Sequence, residues 1–248
     1  MTDRERLAEY DRWLASPSPT AIAFRWMMGA TGQWAVNTPL MKLHQHLMMQ
    51  PRHRWLDIGS GRGALLRFID SRVGFDRAPV GLDGSRELLR LARDDQRGAE
   101  HIAALAQGTA TTLPFRDESF DFVTCGHLVK HLTDAELDTF LLEVRRVLVG
   151  GGLAVIWDFA PTGDERLDRW NRFVLSTGVH DLHLRGTNEL KQRATANGYE
   201  LVRDANLRPF VLPPIPRASI FIGKAPEGWH GPDNDPHESG GEASNIAP

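Results

Sequence analysis

The stretch RWLDIGSGRGALLRFID, residues 54–70, contains the pattern from which the fold can be read. An apolar run ends in an acid, Asp57, glycines follow at every second position, and the apolar residues then recur at helical spacing. This pattern predicts a buried strand, a tight turn and a helix in immediate succession. Glycines at 59, 61 and 63 would leave bare backbone amides at the start of the helix, so the turn is a candidate ligand-binding loop.

Strand and helix patterns alternate from about Arg54 to Lys224, which is typical of an α/β fold with a mostly parallel sheet covered by helices. The connection RPFVLPPIPR before the last strand is too short and too rich in proline for a crossover helix, so we expect that strand to be antiparallel. The sequence therefore predicts a Rossmann-like, doubly wound sheet of seven strands. These strands are RWLDIG, PVGLD, HIAALAQ, FDFVTCG, GLAVIWDF, YELVRDANL and ASIFIGKA.

Helix ends are marked by capping residues. Ser85 precedes RELLRLARDDQR as an N-cap, and Thr133 with Glu136 has the spacing of a capping box. Gly98 and Gly198 are expected to close two helices.

Three regions follow from the composition along the chain. Residues 1–50 have helical spacing and are rich in methionine and tryptophan, which favours a helical cap or a lid that shapes a pocket for an apolar ligand. Residues 51–226 form the main domain. Residues 227–248 are rich in proline, glycine and acids without apolar periodicity, which predicts a disordered tail.

The overall composition argues against several classes of partner. Lys and Arg number 29 against 32 Asp and Glu, a net charge of -3 without a long run of like charge, so we do not expect a nucleic-acid partner. A single cysteine, a charged start (MTDRERLAEYDRW) and no apolar run of membrane-spanning length indicate a cytoplasmic protein without a membrane partner. The oligomeric state stays open, with a homodimer as one option.

The acids near the glycine loop distinguish between two classes of cofactor. The spacing G-S-G-R-G departs from the G-x-G-x-x-G of dinucleotide sites, and Asp57 would repel a pyrophosphate but attract an ammonium or sulfonium. Asp83 ends the second strand about twenty residues beyond Gly63, where a carboxylate can accept the hydroxyls of an adenosine ribose. An NAD(P)-dependent oxidoreductase, which would share the sheet, is therefore disfavoured.

Four segments in order, LDIGSGRG, GLDGS, LPFRDESFDFVTCGHLVKHL and EVRRVLVGGGLAVI, cover residues 55–156. Together they resemble the class I S-adenosylmethionine-dependent methyltransferases, which implies S-adenosylmethionine as cofactor. Thr109 stands where the family usually has an acid, and Gly150 where it usually has proline. The cofactor-binding residues that the resemblance implies are Asp57, Gly59, Ser60, Gly61 and Gly63 at the methionine end, Asp83 at the ribose, Gly84, Ser85, Thr109 and Ala110 around the adenine, and Cys125 and Gly126 on the floor.

Methyl transfer is an in-line displacement that positioning alone can catalyse, and a base is needed only when the acceptor is a poor nucleophile while protonated. In open α/β sheets ligands bind beyond the carboxyl ends of the strands, which brings His127, His131 and Asp158 near the acceptor. His127 and His131 are the candidate catalytic residues. We prefer His127 as the base because histidine titrates near neutral pH, whereas His131 adjoins the capping box and has a structural alternative.

Three questions remain open: the nature of the acceptor, a metal site and a function without methyl transfer. The segment ERLDRWNRFVLSTG and the cap favour a small, largely apolar acceptor, although both have an equally good interpretation as packing on the sheet. His180 and His183 are three residues apart but lack a third ligand, so no metal is expected. A different class of function also fits: a methyltransferase-fold protein that binds the cofactor without transferring methyl, as a regulatory partner or a rearrangement catalyst.

Overall fold

The computed structural model describes residues 3–29, 40, 42–175, 182–205, 207 and 216–226. The predicted disordered tail, Trp34 and His180 lie outside the described residues. The strands are β1 Trp55–Ile58, β2 Val80–Asp83, β3 Ala104–Gln107, β4 Phe120–Gly126, β5 Leu148–Phe159, β6 Leu201–Asp204 and β7 Arg217–Gly223. The helices are α1 Asp3–Ala15, α2 Pro19–Met27, α3 Leu43–His46, α4 Ala64–Val73, α5 Arg86–Asp95, α6 Asp134–Val147, α7 Glu165–Leu175 and α8 Thr187–Ala196, with a 3₁₀ turn at Val129–His131.

The seven strands form one sheet in the order β3-β2-β1-β4-β5-β7-β6. β1 pairs in parallel with both β2 and β4, and β7 pairs antiparallel with β5 and β6. This confirms the prediction of a mostly parallel, doubly wound sheet with an antiparallel last strand. The strand order reverses between β1 and β4, which is where open α/β sheets form a ligand crevice at their carboxyl ends.

β5 begins four residues earlier than the predicted strand GLAVIWDF. Leu148 already pairs with Phe120, but Leu153 pairs with Phe122, so the intervening residues bulge out of the ladder. Gly151 has a φ of 80° there, which glycine adopts without steric cost. The segment VGGG therefore forms a bulge inside β5.

Each face of the sheet is covered by its own group of helices. Side chains of α6 and α8, including Phe140 and Leu190, pack on one face, and α4, with Leu66 and Ile69, packs on the other. Burying an apolar side chain of this size contributes about 1.5–3 kcal/mol, so these two layers fix the sheet. Because helices cover both faces of the sheet, the carboxyl ends of the strands are where we expect a ligand to bind.

The predicted helix caps are largely confirmed. Ser85 Oγ accepts from the Leu88 amide at 3.1 Å, and both bonds of the Thr133–Glu136 capping box are present. α5 ends at Asp95, earlier than predicted, with Gly98 in the turn beyond it. Gly98 has a φ of 73°, the left-handed conformation with which a glycine closes a helix.

α1 and α2 pack against each other through three aromatic rings. The ring centroids of Tyr10 and Trp13 lie 5.8 Å apart, and those of Trp13 and Phe24 lie 5.3 Å apart. Parts of α2 face solvent, including Trp26. Among the described residues, no helix is both long and apolar enough to cross a lipid bilayer. The division of the chain at residue 50 stays a prediction.

Candidate functional site

The glycine loop connects β1 to α4 and is attached to β2. Gly59 and Ser60 donate their amides to the Leu82 carbonyl at 2.8 and 3.1 Å. Gly59, Gly61 and Gly63 all have φ between 54° and 73°, a region that residues with a Cβ adopt only at a cost. The spacing read from the sequence is therefore a conformational requirement of this turn.

Asp83 links the glycine loop to the start of α5. Its Oδ2 accepts from the Gly61 amide and its Oδ1 from the Ser85 amide, both at 2.8 Å. Burial raises the pKa of this carboxyl to about 6, with Asp11 adding to the rise and the backbone hydrogen bonds opposing it. The predicted ribose acid thus lies against the predicted glycine loop.

Asp57 lies at the end of a buried chain of hydrogen bonds. Trp55 Nε1 donates to Thr124 Oγ1 at 2.9 Å, and Thr124 Oγ1 donates to Asp57 Oδ1 at 2.6 Å. The indole nitrogen can only donate, so the hydroxyl proton is directed to the carboxylate. Burial raises the pKa of Asp57 to about 7, with the Thr124 bond lowering it and Asp83 raising it. A cation in the crevice would therefore be stabilised by two closely spaced carboxylates.

The residues predicted at the adenine edge adjoin Asp83. The Gly108 amide donates to the Asp83 carbonyl at 3.2 Å, and Gln107 Nε2 donates to the Gly84 carbonyl at 3.2 Å. Thr109 forms an isolated bridge with Thr112 and is half-buried beside Ala110. The structure therefore brings together the three loops that carry the predicted cofactor-binding residues.

These loops suit a ligand such as S-adenosylmethionine, which carries a carboxylate, an ammonium and a sulfonium. The N-terminus of α4 has no side-chain cap and no acid in its first turn, so its amides remain available to an anionic group. Ser60 Oγ is buried without a hydrogen-bond partner among the described residues. Asp57 and Asp83 supply the opposite charge next to the loop. The residues fit this cofactor.

The N-terminal helices lie against these loops, through contacts that the sequence did not predict. A Cβ at residue 84 would lie 2.8 Å from Leu7 Cδ2, and a Cβ at residue 61 would lie 2.7 Å from Met28 Cε. Asp11 accepts hydrogen bonds from Ser85 Oγ and, at 3.1 Å, from the Arg86 amide. The two Asp11 pairs are about 75 residues apart in the chain, and no local signal could have identified them.

Tyr10 joins this cover from α1. Burial raises the pKa of its phenol far above the ordinary value, and the nearby carboxylates of Asp83 and Asp11 raise it further. The phenol therefore stays protonated and can act as a hydrogen-bond donor beside the predicted ribose acid.

His127 follows β4 directly and is held next to the end of β5. Its amide donates to the Trp157 carbonyl at 2.9 Å, and its ring lies 4.6 Å from that of Phe159. Its φ is 57°, a left-handed conformation that costs a residue with a Cβ on the order of 1 kcal/mol. Such strain outside glycine is concentrated at functional sites, which supports the candidate role of His127.

The two residues predicted on the floor, Cys125 and Gly126, lie at the end of β4. Cys125 is buried, and burial raises the pKa of its thiol well above the ordinary value, so the thiol stays protonated. A Cβ at residue 126 would lie 2.3 Å from the Trp157 ring, so glycine is required there for the ring to lie against the strand.

His131 lies in the 3₁₀ turn, where its amide donates to the Leu128 carbonyl at 2.9 Å. Burial lowers the pKa of its imidazole to about 3, and the Lys130 charge lowers it further. Its Nδ1 is buried without a hydrogen-bond partner among the described residues. His131 is thus neutral and close to the β4 end, and its role stays a prediction.

Two other features lie away from this site. Within the described part of the chain, no group of three or more His, Cys, Asp or Glu side chains could hold a metal ion. A groove of about 630 Å³ is lined by Arg52, Arg54, Arg77, Asp121 and two neighbours. It lies at the amino ends of β1 and β4, opposite the glycine loop.

Comparison with known proteins finds methyltransferases similar to part of this chain. Residues 56–156 match the family model described as "Methyltransferase domain". The chain is 33% identical over 120 residues to the uncharacterized methyltransferase YcgJ of Bacillus subtilis, which is 48% of this chain and 45% of that protein. It is also 33% identical over 124 residues to the 2-phytyl-1,4-naphtoquinone methyltransferase of Thermosynechococcus vestitus, 50% of this chain and 54% of that protein. The matched region thus spans about half the length of these relatives.

Solved structures agree with this assignment. The crystal structure of YcgJ superposes with a TM-score of 0.58 at 26% identity, over 68% of this chain and 70% of that one. Phosphoethanolamine N-methyltransferase 2 of Haemonchus contortus, solved with S-adenosyl-L-methionine, shares the fold with a TM-score of 0.63 at 23% identity, over 79% of this chain and 46% of that one. The resemblance inferred from the four motifs is confirmed to the extent that residues 56–156 match the methyltransferase domain model.

Proposed function

We propose that this protein transfers a methyl group from S-adenosylmethionine to a small-molecule acceptor. The observation that carries the proposal is the convergence of Asp57, Asp83 and the positive-φ glycine loop at the carboxyl ends of β1 and β2. S-adenosylmethionine supplies, when bound, an electrophilic methyl group and leaves as a neutral thioether. Its sulfonium and ammonium match the two buried carboxylates, whereas the pyrophosphate of NAD would be repelled by them.

The residues around the crevice have separate roles in this proposal. Asp57, Ser60 and the loop glycines hold the methionine end, and Asp83 accepts the ribose hydroxyls. Gly84, Ser85, Thr109 and Ala110 surround the adenine, and Cys125 with Gly126 forms the floor. Residues 51–226 act as the catalytic domain, with residues 1–50 as its cap and 227–248 as a tail.

At the acceptor end, we assign proton removal to His127. Its Nε2 is buried and has no hydrogen-bond partner among the described residues, so its lone pair is available to an acceptor O–H, N–H or C–H. Burial lowers the pKa of His127 to about 4, with Asp158 opposing the shift, so the imidazole is neutral at pH 7. The proton moves to Nε2 as the acceptor atom bonds to the methyl carbon.

The acceptor is proposed to be small and largely apolar with one ionisable atom. The Phe159 ring beside His127 offers an apolar surface next to the proposed base. One relative is named for a naphthoquinone substrate, and a ring of that kind suits this surface. The proposal includes a cytoplasmic location, for which the single cysteine is the support, and no nucleic-acid or membrane partner.

The test is calorimetric titration with S-adenosylmethionine, S-adenosylhomocysteine and NAD in parallel, followed by measurement of S-adenosylhomocysteine released on incubation with fractionated small-molecule extracts. We expect both sulfur compounds to bind, NAD to give no heat, and at least one fraction to cause release. Asp83→Asn should weaken the binding of both sulfur compounds. Asp117→Asn is its matched control, because Asp117 is exposed and lies before β4.

The titration and the release assay distinguish a methyltransferase from a protein that binds the cofactor without transferring methyl. Binding without release from any fraction would favour the non-catalytic alternative. If neither sulfur compound bound to the folded protein, the proposed function would be wrong.

A further inference from the structure

Beside His127, the ends of β4 and β5 enclose a carboxylate and an ammonium that are both almost fully buried. Asp158 is 2% exposed and Lys130 6% exposed. Buried charges of this kind are costly unless they are paired and hydrogen-bonded, so a pair this deep at a strand end calls for a specific role.

Asp158 accepts hydrogen bonds from two backbone amides. Its Oδ2 accepts from the Lys130 amide and its Oδ1 from the Phe159 amide, both at 2.8 Å. Burial alone would raise the pKa of this carboxyl, but the Lys130 ammonium and His127 hold it well below its usual range. Asp158 is therefore held as an anion at neutral pH.

The same carboxylate faces the imidazole of His127. Asp158 Oδ1 lies 3.7 Å from His127 Nδ1 and 3.4 Å from Lys130 Nζ. A carboxylate opposite Nδ1 favours the tautomer that carries its proton on Nδ1, which leaves the Nε2 lone pair unprotonated. The distance is longer than a hydrogen bond, as is common for catalytic contacts before the substrate is bound.

Lys130 contacts the backbone of His127 as well as the carboxylate of Asp158. Its Nζ donates a hydrogen bond to the His127 carbonyl oxygen, and its own carbonyl accepts from the His183 amide at 2.7 Å. The left-handed turn at His127 is thus held from the adjacent 3₁₀ turn. A strained conformation persists only when its surroundings determine it in this way.

We propose that Asp158 and Lys130 are positioning residues that hold His127 as the Nδ1–H tautomer, with Nε2 left to accept the proton of the acceptor. This inference deepens the proposed function and rests on it. The charged and titratable groups around the imidazole are Asp158 on β5, Lys130 and His131 in the 3₁₀ turn, and Arg217 on β7. Asp158 favours a protonated imidazole, whereas Lys130 and Arg217 oppose it.

The experiment is ¹⁵N NMR of the histidine side chains in the full chain, with His127 assigned by its absence in His127→Asn. At pH 7 we expect Nδ1 protonated and Nε2 unprotonated. In Lys130→Met the His127 pKa should rise by about 1 unit, and in Asp158→Asn it should fall, because the two neighbours carry opposite charges. Lys130→Arg should keep the low value, and Lys224→Met, which removes a distant paired lysine, should change nothing.

A protonated Nε2 in the wild type, or an unchanged His127 pKa in Lys130→Met, would overturn the proposal. Because a buried variant can fail to fold, the far-ultraviolet circular dichroism spectrum serves as the check on the folding of each one, and Lys130→Arg keeps the test available if Lys130→Met is lost. The NMR readout needs neither cofactor nor acceptor. If no variant, including the wild type, bound a sulfur compound but the tautomer and the opposite pKa shifts were found, the proposed function would fail while the positioning role stood.

Discussion

Replacing Asp57 by Asn should raise the stability of the protein and weaken its affinity for the cofactor. The pKa of Asp57 rises from 3.8 to about 7 on burial, so between these values the folded protein holds a proton that the unfolded chain has released. Stability therefore falls as the pH rises from about 4 to about 7. Asparagine cannot ionise, and it keeps an oxygen that can accept from Thr124 Oγ1.

The shift corresponds to on the order of 4 kcal/mol at about 1.36 kcal/mol per pKa unit. We expect the difference in unfolding free energy between Asp57→Asn and wild type to grow by that order between pH 4 and 7, then to level off. Urea unfolding of both proteins across this range measures it, with Asp117→Asn as the control for an exposed acid. S-adenosylhomocysteine should bind to Asp57→Asn more weakly by roughly 1.5–3 kcal/mol, the loss of one charge-assisted contact. Two stability curves that ran parallel in pH would refute the reasoning.

Three further predictions concern the loops and the caps. Asp83→Ala should weaken S-adenosylhomocysteine binding by about 1.5–3 kcal/mol in calorimetry, and an unchanged affinity would mean that the site is misplaced. Gly61→Ala should lower the melting temperature, because its φ is 54° and a Cβ would lie 2.7 Å from Met28 Cε; Met28→Ala should recover only the steric part. Thr133→Ala should cost about 1 kcal/mol in urea unfolding, because it removes the hydroxyl that caps the Glu136 amide, and a loss below a few tenths would show that the cap contributes little.

The sheet and the cofactor loops were predictable because their determinants are local. The run from Arg54 to Asp70 places strand, turn and helix within one stretch, and the positive φ of the glycines follows from their spacing. Asp83 was predictable for the same reason, since it ends its strand at a fixed distance from Gly63. The strand order then brought these residues together without further information.

The contacts that could not be predicted join residues far apart in the chain. Asp11 reaches Ser85, and Arg6 pairs with Glu136 at 2.6 Å. A lone acid or arginine in a charged helix has no periodicity that would reveal its partner. The burial of Lys130 was missed for a related reason. A lysine is expected on the surface, and the carboxylate that pairs with Lys130 in the interior, Asp158, lies on a different element, β5.

The contacts that hold α1 across the end of β2 have a kinetic consequence. Leu7 and Asp11 hold this helix over the turn that follows Asp83, and Arg6 ties it to α6. We expect a ligand to reach or leave the proposed adenosine position only when these contacts break. We therefore expect the association rate to level off at high ligand concentration, where the opening of the helix becomes the slowest step. The demethylated cofactor would leave through the same step. The opening of the helix, and not methyl transfer, would then limit the rate of turnover.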